Sequence, residues 1–351
     1  MSWELNIRRV EPYTPGEQTN EKGIIKINTN ECPYPPAPGV ENALRTLNYD
    51  SLRLYPKPGA DDLVNALADY YGKRPEEVFV GVGSDDVLSM AFLAFFNSDK
   101  PVFFPDVTYS FYDVWADVYR IPYEKQPLDT NFKIKPSDYY KPNGGIIFPN
   151  PNAPTGIYES LDMVEDIVSH NPGSVVIVDE AYIDFGGESA LPLTEKYDNL
   201  LVVQTFSKSR AMAGVRIGFA IGNEKLIKYL NDVKYSVNSY TMNTPSLILG
   251  PVAIKDDKYF KETTGKMIKT REWMKKELSA LVFTFPDSMS NFLFVTHPKY
   301  KATDIQKFLR ENRILVRHFN GVRVDNYLRI SVGTDAQAEV LVNVLKKMIT
   351  E

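Results

Sequence analysis

Short apolar runs recur along the first two thirds of the chain, at 78–82, 101–104, 145–148, 175–178, 200–203 and 217–221. Each is brief and lacks the polar alternation of a sheet with one wet face. The runs therefore predict strands buried on both faces of a mainly parallel sheet. Helical spacing lies between them: 61–71 carries Leu63, Leu67, Tyr70 and Tyr71 on one side, 86–96 is strongly apolar, and 159–170 supplies a crossover. This alternation predicts a large doubly wound α/β domain over 41–245. Beyond it the pattern changes. A charged helical stretch at 255–281 leads to strands at 282–285 and 291–295, a helix at 303–311, strands at 313–318 and 327–332, and a last helix from 336. That order predicts a smaller α+β domain over 246–351. Residues 1–40 are rich in proline, which fixes φ and removes a backbone donor, so they predict an irregular arm with one strand candidate at 24–27.

With 351 residues, two domains are the natural expectation. A net charge of −5, with no run of lysines or arginines, gives no electrostatic reason to expect nucleic acid. The single cysteine, Cys32, excludes an intramolecular disulfide and suits a reducing compartment. The first residues lack an apolar core of signal-peptide length, and no stretch approaches the roughly 18 apolar residues of a membrane span. A cytoplasmic protein without membrane partners is expected. His170, His297 and His318 show no ligand spacing, so no metal is expected.

Candidate chemistry gathers at the ends of the apolar runs, where open α/β sheets bind their ligands. Lys208 lies just past the run at 200–203, with Thr205 and Ser207 in the same turn and Arg216 eight residues on. Lys208 can hold an aldehyde cofactor as a Schiff base while Thr205, Ser207 and Arg216 grip its phosphate. Taken alone, the segment also reads as a surface lysine in a polar turn. Asp179 closes the run at 175–178 and can pair with a protonated pyridine nitrogen. Asn152, in a rigid proline-rich turn, and Tyr182 can both reach a phenolic oxygen. Gly81-Val82-Gly83-Ser84-Asp85 links a strand to a helix start, where backbone N–H groups favour phosphate. This segment also resembles half a dinucleotide fingerprint, with Asp106 near the offset of a ribose-binding acid. Against that, Asp86 stands where the third glycine belongs, and the reading leaves Lys208, Asp179 and Asn152 idle. A penicillin-recognising hydrolase is excluded, because position 205 is Thr and no Lys-Thr-Gly follows.

Six segments together carry a resemblance. They are Asn28-Thr-Asn-Glu31, Leu54-Tyr-Pro56, Gly83-Ser-Asp85, Pro149-Asn-Pro-Asn-Ala-Pro-Thr-Gly156, Val178-Asp-Glu-Ala-Tyr-Ile-Asp-Phe185, and Thr205-Phe-Ser-Lys208 through Arg216. In order and spacing the chain resembles the fold-type I pyridoxal-phosphate aminotransferases, and within them the histidinol-phosphate aminotransferase family. The resemblance implies pyridoxal 5'-phosphate as cofactor, Lys208 as Schiff-base lysine and proton carrier, and Asp179 as pyridinium partner. It implies Asn152 and Tyr182 at the ring hydroxyl and Tyr109 stacked on the ring. Gly83, Ser84, Thr205, Ser207 and Arg216 fall at or beside the phosphate positions, with Asp85 a neighbour of them. Tyr55 matches a tyrosine given across a homodimer interface to the neighbouring site. Tyr13, Asn30, Arg317 and Arg329 match substrate-binding positions, and a guanidinium fork suits a phosphate or carboxylate. The implied substrates are L-histidinol phosphate and 2-oxoglutarate, exchanged by a ping-pong mechanism.

Two departures from the family pattern stand out. Cys32 replaces an asparagine in the arm, and Ser209-Arg210 replaces a small residue and an aromatic after the lysine. Both bear on substrate preference, and neither touches the cofactor set. A threonine-phosphate decarboxylase and a cofactor-binding regulator without turnover remain alternatives on the same scaffold.

Overall fold

A computed structural model describes residues 2–350. Its large sheet has seven strands: β2 (Val78–Gly81), β3 (Val102–Pro105), β4 (Tyr123–Gln126), β5 (Gly145–Pro149), β6 (Val176–Asp179), β7 (Leu200–Thr205) and β8 (Gly218–Gly222). The short β1 (Ile25–Lys26) lies outside this sheet. The spatial order is β2-β8-β7-β6-β5-β3-β4, and only β8 runs antiparallel to its neighbours.

Both faces of this sheet are covered, and side-chain alternation divides it. Val78, Val80, Phe148, Val176, Val178, Leu200 and Val202 join one core cluster, while Phe79, Ile147, Ile177, Leu201 and Val203 join another. Helices α1 (Pro38–Arg45), α2 (Asp61–Tyr71), α5 (Leu161–His170) and α7 (Thr244–Lys255) fill the first face. Helices α3 (Ser84–Phe95), α4 (Phe111–Tyr119) and α6 (Glu224–Val237) fill the second. The runs are continuous in sequence because each successive side chain enters one core or the other.

A third cluster belongs to the C-terminal part. Strands β9 (Phe292–Val295), β11 (Arg317–His318) and β12 (Leu328–Ser331) form an antiparallel sheet packed with α8 (Asp257–Ala280), α9 (Ala302–Glu311) and α10 (Asp335–Thr350). The arm joins this part, since β1 pairs in parallel with β10 (Ile314–Leu315). Helix α7 begins where the sequence reading opens the C-terminal domain, yet its Leu249, Ala253 and Ile254 close the core of the large sheet. The change of partner comes at Asp256, whose side chain caps α8 by accepting the Tyr259 amide. The strand expected at 282–285 is reduced to a single bridge between Thr284 and Thr296.

Candidate active site

One edge of the large sheet collects the polar residues, and strand direction explains why. Strands β2, β3, β5, β6 and β7 all end there, delivering Ser84–Asp85, Tyr109, Asn152, Asp179–Tyr182 and Ser207–Lys208 respectively. Because β8 is antiparallel, it starts at that edge, which brings Arg216 beside Ser207. The register pairs Thr205 with Gly218 and Gly81 with Gly218. A Cβ at Gly218 would overlap the Gly83 carbonyl carbon and the Ser84 amide, so only glycine lets β8 pass so close to the start of α3. Arg216 itself is left-handed (φ 58°, ψ 65°), a conformation costing a non-glycine residue about 1–3 kcal/mol. The outlier sits at the functional edge.

A single cavity is lined by Ser84, Asp85, Tyr109, Asp179, Tyr182, Thr205, Ser207, Lys208 and Arg216 from this edge, and by Tyr13, Arg317 and Arg329 from the arm and C-terminal sheet. Lys208 Nζ donates to the Thr29 carbonyl at 3.4 Å and lies 5.7 Å from the Tyr182 ring centre. Asp179 is 4% exposed. Burial pushes its carboxyl up to about 6, against the Tyr112 hydroxyl donating to Oδ2 at 2.9 Å and the Ala181 amide donating to Oδ1 at 3.2 Å. Thr205 donates to Ser207 at 3.0 Å, and Arg216 Nη1 reaches the same Ser207 oxygen at 3.4 Å. The N-terminus of α3 carries no side-chain cap at Gly83, and Ser84 and Asp85 of its first turn line the same cavity.

The remaining expected residues are placed less directly. Asp85 is a clamp, since its carboxylate accepts from Arg216 at 3.2 Å and from the Tyr109 hydroxyl at 2.8 Å. Asn152 is buried beside the cavity, with Thr108 donating to its Oδ1 and its Nδ2 donating to the Val107 carbonyl and Thr155. Asn30, left-handed at φ 56°, donates to the Tyr182 hydroxyl at 3.0 Å. Tyr55 is 83% exposed, lies outside the cavity and packs against Tyr240 with ring centres 4.7 Å apart. Tyr13 stacks on Phe111 at 4.2 Å.

The opposite side of the cavity is built on β11 and β12, where Arg317 and Arg329 are register partners. The Arg329 guanidinium lies 5.3 Å from the Phe292 and Phe319 rings, donates to the Asn28 carbonyl at 3.3 Å, and keeps a buried Nε without a hydrogen-bond partner among the described residues. Burial pulls its pKa down from the usual guanidinium value. Arg317 donates to the Thr14 and Pro15 carbonyls at 2.8 and 2.9 Å. Among the described residues neither arginine has a carboxylate partner.

The two departures lead away from the cavity. Ser209 donates to Asp184, and the buried Arg210 lies 3.8 Å over the Phe260 ring while donating to the Ala253 and Ile254 carbonyls. Cys32 faces Met267, with the sulfurs 3.7 Å apart, and burial pushes its thiol up. The dinucleotide alternative also fails on geometry, because Asp86 accepts the Val82 amide at 2.9 Å and Asp106 is already bound by Arg323. Sequence reasoning missed Tyr112 and Thr108. A signal for Tyr112 existed, since it follows Tyr109 at helical spacing with a hydroxyl that needs a partner once buried.

The model of the aminotransferase class I and II family matches residues 22–345. The chain belongs to this family. It is 50% identical over 349 residues to the histidinol-phosphate aminotransferase of Clostridium botulinum (strain Hall), covering 99% of each chain. It is 48% identical to that of Lactococcus lactis subsp. cremoris (strain MG1363), covering 99% of this chain and 98% of the relative. The fold matches the crystal structure of Sinorhizobium meliloti histidinol-phosphate aminotransferase in complex with pyridoxal-5'-phosphate, with a TM-score of 0.84 at 22% identity over 93% of this chain and 91% of that one. This fold is the fold-type I architecture that the resemblance implied. Among the described residues no helix is long and apolar enough to cross a membrane, and no group of three or more His, Cys, Asp and Glu side chains is arranged to hold a metal ion.

Proposed function

We propose that this aminotransferase exchanges the amino group between L-histidinol phosphate and 2-oxoglutarate, giving 3-(imidazol-4-yl)-2-oxopropyl phosphate and L-glutamate in histidine biosynthesis, with pyridoxal 5'-phosphate as cofactor. The observation that carries the reading is the cavity itself. It sets a lysine amine, a buried carboxylate and a hydroxyl–guanidinium cluster at one sheet edge, facing two arginines that have no carboxylate partner among the described residues. The donor set fits the cofactor, having a carboxylate for a protonated ring nitrogen, hydroxyl and amide partners for a ring oxygen, and an uncapped helix start with Arg216 for a phosphate. The half-identical relatives that carry the histidinol-phosphate aminotransferase name choose the substrates.

When bound, pyridoxal phosphate supplies the electron sink that lets an amino group pass between two carbon skeletons. In this reading the free ε-amine of Lys208 would take the proton from substrate Cα and deliver it to the C4′ carbon of the cofactor. Asp179 holds the positive charge at the ring nitrogen, and Asn152 and Tyr182 hold the ring hydroxyl, with Asn30 orienting Tyr182. Ser84, Thr205, Ser207 and Arg216 hold the phosphate. Asp85 orients Arg216 and Tyr109, and Tyr109 covers the ring face. Arg317, Arg329 and Tyr13 receive the substrate anion.

A homodimer belongs to the same reading. Tyr49, Leu52, Leu54 and Tyr55 are all exposed on one short segment, more apolar surface than an isolated side chain would present. Tyr55 then serves the site of a second copy. A cytoplasmic setting accords with the lone thiol. The test is an absorbance scan of protein loaded with cofactor. The reading expects the yellow band to bleach with L-histidinol phosphate and to return with 2-oxoglutarate. A band that stays while CO₂ is released would point to the decarboxylase chemistry.

A further inference from the structure

Asp106, the acid that a dinucleotide site would give to a ribose, is held by an arginine from the other half of the molecule. Arg323 lies in the turn between β11 and β12, the strands that carry Arg317 and Arg329. Its guanidinium crosses to the large domain. There Nη1 donates to Asp106 Oδ2 at 3.0 Å and to the Leu128 carbonyl at 2.9 Å, and Nη2 donates to the Asp129 carbonyl. The same group stands 4.9 Å over the Phe132 ring. The second Asp106 oxygen accepts the Leu128 amide at 2.9 Å, so the acceptor is fixed as well.

Each end of this latch leads into the site. The residues that follow Asp106 are Val107 and Thr108, which hold the Asn152 amide from both sides, and then Tyr109. At the start of the turn, Phe319 lies 5.3 Å from the Arg329 guanidinium and 5.6 Å from that of Arg317. The Arg323–Asp106 pair leaves about a third of each side chain exposed, so as an ion pair it contributes little stability. A planar fork with three fixed acceptors specifies orientation, which a point charge would not.

We propose that Arg323 is a positioning residue for transamination: it fixes the strand pair bearing Arg317 and Arg329 against the loop bearing Tyr109, setting the distance between the anion receptor and the ring site. The proposal rests on the functional reading above. Its test compares wild type, Arg323→Gln, Asp106→Asn, the double variant and Arg323→Lys in the cofactor-loaded enzyme. Arg323→Gln is expected to raise KM for L-histidinol phosphate about tenfold with kcat within about twofold. The double variant is expected to be no worse than the worse single one, because both substitutions break the same Arg323–Asp106 contact. Arg323→Lys keeps the charge without the fork and is expected not to restore KM.

An unchanged KM with a lowered melting temperature would overturn the proposal, as would independent, multiplying effects or full rescue by lysine. Amide hydrogen exchange at 107–109 in the resting enzyme reads the latch without turnover. Faster exchange in Arg323→Gln supports it, and unchanged exchange contradicts it. A wild type that makes no glutamate from L-histidinol phosphate would sink the functional reading while leaving this exchange result to decide the latch.

Discussion

The two walls of the cavity are built differently. The wall of the large sheet presents Asp179, Ser207, Lys208 and Arg216, each within three residues of a strand end whose register is set by two buried cores. The opposite wall presents Arg317 and Arg329 from a two-residue and a four-residue strand, steadied by carbonyls of the arm and by Phe292 and Phe319. A one-residue slip in the first wall would turn whole strands inside out, so its groups are pinned by the fold itself. The second wall depends on contacts between parts distant in sequence. In the function proposed above, chemistry common to all substrates belongs to the first wall, and recognition of a particular anion to the second.

The sharpest break comes from Lys208. Replacing it with alanine is expected to lower turnover by about 10³-fold or more, since in the proposed function it is both the covalent anchor and the proton carrier, and single-turnover absorbance checks this. Asp179→Asn should follow, with a loss of about 10²-fold in kcat from the missing charge at the ring nitrogen. The same variant carries a pH signature. Burial holds Asp179 at about 6 and Glu180 at about 7, both above their ordinary values of 3.8 and 4.5. A raised carboxyl favours the folded state below its unfolded value, and that contribution is lost as pH rises through the folded one. The cofactor-free protein should therefore lose melting temperature between about pH 4 and pH 7, and Asp179→Asn should flatten part of that slope. Cofactor affinity should run the other way, weakening as pH falls through about 6, because the role proposed for Asp179 at the ring nitrogen needs the ionised carboxylate.

On the opposite wall, Arg329→Lys should cost roughly 10- to 100-fold in kcat/KM, the worth of charge-assisted hydrogen bonds lost from a half-buried fork. Arg317→Lys should cost less, about tenfold or under, because its present donors already serve the arm carbonyls at Thr14 and Pro15. Steady-state kinetics with both substrates separates the two. The smallest effect belongs to Cys32→Ala, which lies outside both walls. It should leave turnover unchanged and shift stability by less than about 1 kcal/mol in chemical denaturation, and the native thiol should react slowly near neutral pH.

The same contrast governs what could be read from the chain beforehand. The strands of the large sheet were legible because both faces are buried, which makes their runs continuous and short. Strand β4 was not, since Tyr-Glu-Lys-Gln sits at the sheet edge with two exposed residues and no apolar run. Lys208, Asp179 and Arg216 could be proposed from their places at the ends of such runs. The antiparallel course of β8, which brings Arg216 to Ser207, could not, because direction leaves no mark on an apolar run. Asp85 looked like a bystander to the phosphate, whereas its carboxylate grips Arg216 and Tyr109 across 131 and 24 residues. Arg210 stands in sequence as a charge where the family pattern has an aromatic, and only packing against Phe260 shows it turned away from the cavity. The latch of Arg323 on Asp106 spans 217 residues and had no local signature at all.

The most direct test of the account is to load the protein with pyridoxal phosphate, reduce it with borohydride, and locate the attached group by peptide mapping. One modified peptide is expected, carrying the group on Lys208, and none in Lys208→Ala. Attachment at another lysine, or none in the native chain, would contradict it.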